Sequence, residues 1–190
     1  MDLTAAISGR RSTREYTKQA IDEQTILRLV RGATMAPSAV NQQPWTFTVV
    51  RNQELLDQVS RDAKAHMVAT MPADMAGGAR AEHFLSMLGD PAFQIFYHAP
   101  ALILISGNAP GSWITEDCAL AAENLMLTAH SLGLGSCWIG FAQSYLNTPA
   151  GKRQLGLPES WVPVAPIIVG YPKAPPAAVP RKEPEIRWAN

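Results

Sequence analysis

The sequence predicts a single domain in which helices are interleaved with short strands. Three observations carry this reading. The chain has 190 residues, enough for one domain with a full core and too few for two ordinary ones. Hydrophobic residues make up 47% and charged residues 17%, a globular balance and not a disordered one. Segments of helical period alternate with β-branched runs of strand length.

In chain order, Leu3–Ser8 reads as a short opening helix that runs into Arg10-Arg11-Ser12-Thr13-Arg14. Asp22, a good N-cap residue, opens a second helix carrying Ile26, Leu27, Val30 and Ala33, which ends before Pro37. Thr46–Val50 is a strand by its aromatic and β-branched content. Gln53–Ala69 is helical, Pro72 and Gly77-Gly78 interrupt the pattern, and Ala79–Leu88 resumes it. His98–Ser106 is a buried strand, Trp113–Leu132 a long helix, Gly133–Gly135 a turn and Cys137–Gly140 a short strand. A last strand runs from near Val162 to Gly170. Prolines at 172, 175, 176, 180 and 184 then enforce an extended C-terminal arm over 172–190. The helix Trp113–Leu132 is apolar all round, so it requires burial all round, either against a second subunit or at the centre of one.

Charge and composition exclude several classes. Sixteen Lys and Arg balance sixteen Asp and Glu, so no net field recruits nucleic acid or acidic lipid. No secretory leader is read at Met1-Asp2-Leu3-Thr4 and no run approaches a membrane span, which points to a cytoplasmic protein. Cys118 and Cys137 form neither a disulfide framework nor a zinc spacing and read as buried reduced thiols. The four histidines show no metal-ligand spacing, and no nucleophile elbow or Walker loop is present.

Four segments can carry chemistry. Arg10, Arg11, Ser12 and Arg14 combine forked guanidinium donors with a hydroxyl, a set suited to phosphate; the same residues also read as a solvated basic face, with Ser12 and Glu15 as a capping box. The uncharged, amide-rich stretch Pro37-Ser38-Ala39-Val40-Asn41-Gln42-Gln43-Pro44-Trp45 suits a neutral heterocycle edged with carbonyls and an N–H, or is an ordinary helix-to-strand loop. Gly133-Leu134-Gly135 follows a helix and precedes a strand, the reverse of the dinucleotide fingerprint, so Gly133 reads as a left-handed C-cap, while Gly140 lets a ligand approach a strand end. Arg181-Lys182 lies on the arm, where Ile186 and Trp188 point to docking against something apolar. A ligand-like loop without catalytic machinery fits an enzyme whose cofactor does the chemistry. Met67, Met71 and Met75 at four-residue spacing read as core, with a substrate lid as the alternative.

These pieces come in a known order. The arginine segment, the Pro37–Trp45 loop, Glu123-Asn124-Leu125 with Gly133-Leu134-Gly135, and Val164-Ala165-Pro166 through Gly170-Tyr171-Pro172 to Arg181 together resemble the FMN-dependent nitroreductase family. The resemblance implies an α+β chain with a three-layer α/β/α fold, a central mixed sheet and an intertwined homodimer holding FMN at the subunit interface. By carry-over, Arg10, Arg11, Ser12, Arg14 and Arg181 hold the phosphate end. Pro37, Ser38, Ala39, Asn41 and Gln43 lie along the flavin from the partner subunit. Trp138, Ile139 and Gly140 pass near the ring, with a backbone N–H aimed at its reactive nitrogen. Two departures stand out: Ala39 replaces a serine common in the family, and Ile139 stands where some members carry glutamate. The implied activity is NADPH- or NADH-dependent reduction of a nitroaromatic, quinone or related small-molecule acceptor by ping-pong kinetics, with no side chain as acid or base. Dehalogenase, enoate-type reductase or flavin-cleaving chemistry on the same fold, a non-catalytic flavin-binding module, and a generic phosphate site without flavin are the alternatives.

Overall fold

The computed structural model describes residues 1–71 and 79–189. Asp22 caps α2 (Glu23–Ala33), accepting from the Thr25 amide, and Asp2 and Asn52 do the same for α1 (Leu3–Gly9) and α3 (Gln53–Ala69). The remaining helices are α4 (Ala79–Gly89), α5 (Ile114–Ser131), α6 (Gly140–Leu146) and α7 (Pro149–Gln154). The strands are β1 (Trp45–Val50), β2 (Ala101–Gly107), β3 (Gly135–Trp138) and β4 (Val162–Gly170).

The sheet runs β1-β2-β4-β3. All three pairings are antiparallel. The mixed character implied by the resemblance is confined to one parallel bridge between Ser12 and Ser136, because the chain leaves the β3 edge at once to bridge Tyr16 with Pro172. β4 is an interior strand containing two prolines. Pro163 falls where the β2–β4 register slips between Ile105 and Ser106, the position where a missing N–H is tolerated.

Side-chain alternation divides the core in two. Ala101, Ile103 and Ile105 of β2, with Ile167 and Val169 of β4, pack against α2 and α5. Leu102, Leu104 and Ile168 face the other way, onto Leu56 and Val59 of α3 and Ala142 and Leu146 of α6. The result is the expected three-layer α/β/α arrangement.

Several sequence expectations need correction. β2 begins at Ala101 instead of His98, because Tyr97 and His98 are left-handed (φ 53° and 51°) and Pro100 has no N–H to pair. β3 ends at Trp138, and Gly140 opens α6 instead of closing a strand. Of the two readings of α5, burial at the centre of one chain is the one that fails. Cys118, Ala121, Ala122, Leu125 and Ala129 are buried, but Leu120 stays 45% exposed. Met67 and Met71 are half-buried and belong to neither core, and the neighbouring Val68 and Ala69 are exposed; Met75 lies outside the described residues. Among the described residues no helix is long and apolar enough to cross a membrane.

Candidate functional site

The arginine segment leaves α1 and lies along the edge of β3. Thr13 N–H donates to the Ser136 carbonyl at 3.0 Å, completing the Ser12–Ser136 bridge. The arm rides over this segment: Thr17 N–H donates to Tyr171 O at 2.8 Å and Lys173 N–H to Glu15 O at 3.1 Å. Between them opens a cleft of about 450 Å³ lined by Arg10, Arg11, Thr13, Ser136 and the Pro172–Pro176 start of the arm. A second opening of about 280 Å³ lies between Ser12–Glu15 and Ala174–Pro176.

The donors around the first cleft are incompletely used. Arg11 Nη1 is spent on the Ser8 and Arg10 carbonyls. Arg10 Nε stands 3.4 Å from a Glu123 carboxylate oxygen, close enough for charge attraction but outside hydrogen-bond geometry. Arg10 Nε, Arg11 Nε and Ser136 Oγ are buried without a hydrogen-bond partner. A buried donor left without an acceptor costs about 1–3 kcal/mol. Arg11 Nε and Ser136 Oγ, with Arg10 Nε held only by the Glu123 charge, form a set beside one cleft that an anionic, oxygen-rich ligand such as a phosphate would complete.

The neighbouring cleft, about 280 Å³, is lined by Arg14, Tyr97, Cys137, Trp138, Ile139, Gly140 and Phe141. Its floor is backbone. Ile139 turns its side chain into the α3/α6 core, 3% exposed, and its N–H is committed to Pro166 O at 2.8 Å. Of the expected floor amides, that of Ile139 is therefore not available to a ligand. A Cβ at Gly140 would meet nothing within 4 Å, so the floor is open there. Phe84 packs on Phe141 with centroids 5.6 Å apart, which connects α4 to this wall. The Cys137 thiol beside the cleft is pushed up by burial, which outweighs the lowering by Arg14, so it stays protonated and is no nucleophile.

Tyr97 was not expected in the site, and nothing in its local sequence marks it. A network from α3 holds its segment. Lys64, 8% exposed, donates to Asp90 O and Phe93 O, each at 2.7 Å, and Ser60 Oγ accepts from Ile95 N–H. Gln94 accepts from Phe96 N–H and donates to Asp57. Arg14 lies 6.0 Å from the Tyr97 ring centroid.

The Pro37–Gln43 loop stands apart. None of its residues lines the three clefts described here. Val40, Asn41 and Gln43 all have positive φ (45°, 57° and 49°), an arrangement costing about 1–2 kcal/mol for a β-branched residue such as Val40. Gln43 N–H donates to Ser38 Oγ and Gln43 Nε2 to Asn41 Oδ1. Asp117, 3% exposed on α5, accepts from Ala39 N–H at 2.9 Å, while Trp45 seats the far end in the core. Arg181 stands exposed on the arm and lines none of these clefts. Within one chain the structure thus unites Arg10, Arg11, Ser12 and Arg14 with Trp138, Ile139 and Gly140, and leaves Pro37–Gln43 and Arg181 aside. Asp117 carries a sequence signal of its own: a carboxylate four and eight residues from Ala121 and Leu125, on the buried face of an apolar helix.

Comparison with known proteins fits this geometry. Residues 7–171 match the model of the nitroreductase family. A protein of Methanothermobacter thermautotrophicus named "Putative NADH dehydrogenase/NAD(P)H nitroreductase" is 32% identical over 177 residues, covering 90% of this chain and 78% of its own. A 5,6-dimethylbenzimidazole synthase of Rhodospirillum rubrum is 29% identical over 180 residues, covering 90% and 82%. The crystal structure of a Bacteroides fragilis nitroreductase with bound FMN superposes with a TM-score of 0.79 at 27% identity, covering 100% of both chains. The chain belongs to the nitroreductase family of oxidoreductases.

Proposed function

We propose that the chain is an FMN-dependent NAD(P)H oxidoreductase that reduces nitroaromatics, quinones or related electron-poor small molecules, working as a homodimer with FMN at the subunit interface. The observation that carries this reading is the group of buried donors without a hydrogen-bond acceptor, Arg10 Nε, Arg11 Nε and Ser136 Oγ, beside a cleft joined to the Trp138–Gly140 floor through the opening at Ser12–Glu15, which shares Thr13 with the first and Arg14 with the second. These donors with Ser12 hold the phosphate end. The Gly140 amide and Arg14, which line one cleft, would hold the ring end, where a fixed donor and a cation favour negative charge. FMN, when bound, supplies the hydride relay between a reduced nicotinamide and the acceptor. No side chain near the cleft is needed as acid or base, in keeping with the protonated Cys137.

The dimer reading rests on what one chain leaves open. Leu120 on α5, Ile7 on α1, Val40 at 88% exposure and Trp188 at 83% are apolar groups in water, and Pro37–Gln43 and Arg181 line none of the clefts described above. A second copy supplies cover for the first group and a site for the second.

The test is the absorbance spectrum of the purified protein before and after anaerobic NADPH or NADH, followed by steady-state kinetics with a panel of acceptors. A flavin spectrum that bleaches, and parallel double-reciprocal lines, are expected. A colourless protein that refuses added FMN overturns the reading. The similarity to a 5,6-dimethylbenzimidazole synthase keeps a second chemistry on the panel: bleaching without turnover of nitro compounds or quinones, and a flavin spectrum that does not return on reoxidation, favours that one.

A further inference from the structure

We propose that Asp117 is a positioning residue for the flavin site of the opposite subunit, acting through the amide of Ala39. The inference rests on the function proposed above. Its geometric basis is independent of that reading.

Asp117 is a buried carboxylate in the first turn of α5, and the hydrogen bond it accepts, from Ala39 N–H at 2.9 Å, crosses 78 positions of sequence. The other side-chain bonds within the loop close it on itself: Gln43 N–H to Ser38 Oγ and Gln43 Nε2 to Asn41 Oδ1. They give the loop a shape but no fixed place. Its place comes from Trp45 and the Asn108 N–H to Pro44 O bond at one end, and from buried Ala36 and the Asp117–Ala39 bond at the other. Between these anchors the backbone holds three non-glycine residues at positive φ, a conformation that persists only where the surroundings enforce it. The strained tip projects Val40 into water and lines none of the clefts described above. A strained, doubly anchored, outward-facing loop serves something outside its own chain. In the dimer, that is the open side of the partner's cleft over Trp138–Phe141. Burial of Asp117 keeps water from competing for the Ala39 amide, so the bond defines the loop tightly.

Three variants test this by FMN titration followed by flavin fluorescence. Asp117→Ala is expected to weaken FMN binding by about tenfold, the scale of one hydrogen bond to a charged group. Asp117→Asn keeps a carbonyl acceptor and should recover most of that loss. Ala39→Pro deletes the donor without touching α5, and the extended Ser38 before it (φ −140°, ψ 157°) accepts a following proline; it should match Asp117→Ala even if the latter folds poorly. Wild-type affinity in either Asp117→Ala or Ala39→Pro overturns the proposal.

A mixed dimer, one chain Asp117→Ala and the other Arg11→Met, then separates the two directions of action. If the loop serves the partner, one site collects both defects and the other has none, so one FMN per dimer binds with wild-type affinity. If the loop serves its own chain, both sites are damaged and no full-affinity site remains, which overturns the cross-subunit assignment. Failure of the underlying flavin reading looks different: the unmodified chain takes up no FMN at all.

Discussion

Thr13 occupies the space that any side chain at Gly135 would need. A Cβ at Gly135 would lie 2.5 Å from Thr13 Oγ1 and 2.7 Å from its Cβ and Cγ2. This approach lets the arginine segment lie flat on the first residue of β3 and aims Arg10 and Arg11 at the cleft they line with Ser136. Gly135→Ala is expected to push the segment outward. The stability loss should be about 1–3 kcal/mol, the usual range for overpacking, and FMN affinity should fall with it. Denaturant unfolding and FMN titration check the two effects. A variant that loses neither would show that the segment shifts freely.

Arg11→Met removes one of the unpartnered guanidinium donors while keeping much of the side-chain length. Weaker FMN binding by roughly 10- to 100-fold is expected, from the 1.5–3 kcal/mol of a charge-assisted bond. Riboflavin, which lacks the phosphate, should bind wild type and variant alike. An equal loss for both ligands would place Arg11 away from the phosphate.

Lys64 bonds two carbonyls of the segment that delivers Tyr97 to the cleft. Lys64→Met leaves both carbonyls short of a donor, and a loss of about 2 kcal/mol in urea unfolding is expected. Because Tyr97 sits beside Arg14, the absorbance maximum of bound flavin should also move. Stability loss with an unchanged flavin spectrum would confine Lys64 to a structural part.

Asp22 caps α2 with bonds from Thr25 N–H and Thr25 Oγ1, and these hold its carboxyl below the usual value of 3.8. The folded chain therefore binds this proton less readily than the unfolded chain, and the cap's contribution is complete above the unfolded value and lost as pH falls through the folded one. The gap in melting temperature between wild type and Asp22→Ala should be constant from neutral pH to about 5 and shrink below about 4. A gap that persists at pH 2 would show that the carboxylate form is not what caps the helix.

Cys118 is pushed up to about 12, first by burial and then by the adjacent Asp117 charge. Its thiol stays protonated throughout the ordinary working range, so iodoacetamide at pH 8 should leave it unmodified in the native protein and label it after unfolding. Labelling of native Cys118 by mass spectrometry would mean that α5 opens.

Much of the secondary structure was legible in the sequence because its signals are local. Asp22 three residues before Thr25 specifies a cap, and the β-branched run from Val162 to Gly170 specifies a strand whose ends match the structure. Gly133, at φ 75°, ends α5 as a left-handed cap should. The boundaries that failed were set by distant partners. β3 starts at Gly135 because β4 and Thr13 are there to meet it, and Gly140 enters α6 because α6 has the α3 face to pack on.

The same division runs through the site. By itself the sequence determined the donors, Arg10, Arg11, Ser12 and Arg14, since guanidinium and hydroxyl chemistry belongs to the residue wherever it lies. It also determined an amide-rich loop and the order of motifs that places the chain in its family. Only the tertiary structure decided that Ser136 and Tyr97 join those donors, that Ile139 offers the cleft neither side chain nor N–H, and that Asp117 reaches 78 positions back to hold Ala39. The physical reason is range. Caps, turns and side-chain chemistry are fixed by neighbours a few residues apart, whereas the use of a donor depends on what packing brings beside it and on what burial takes away from water.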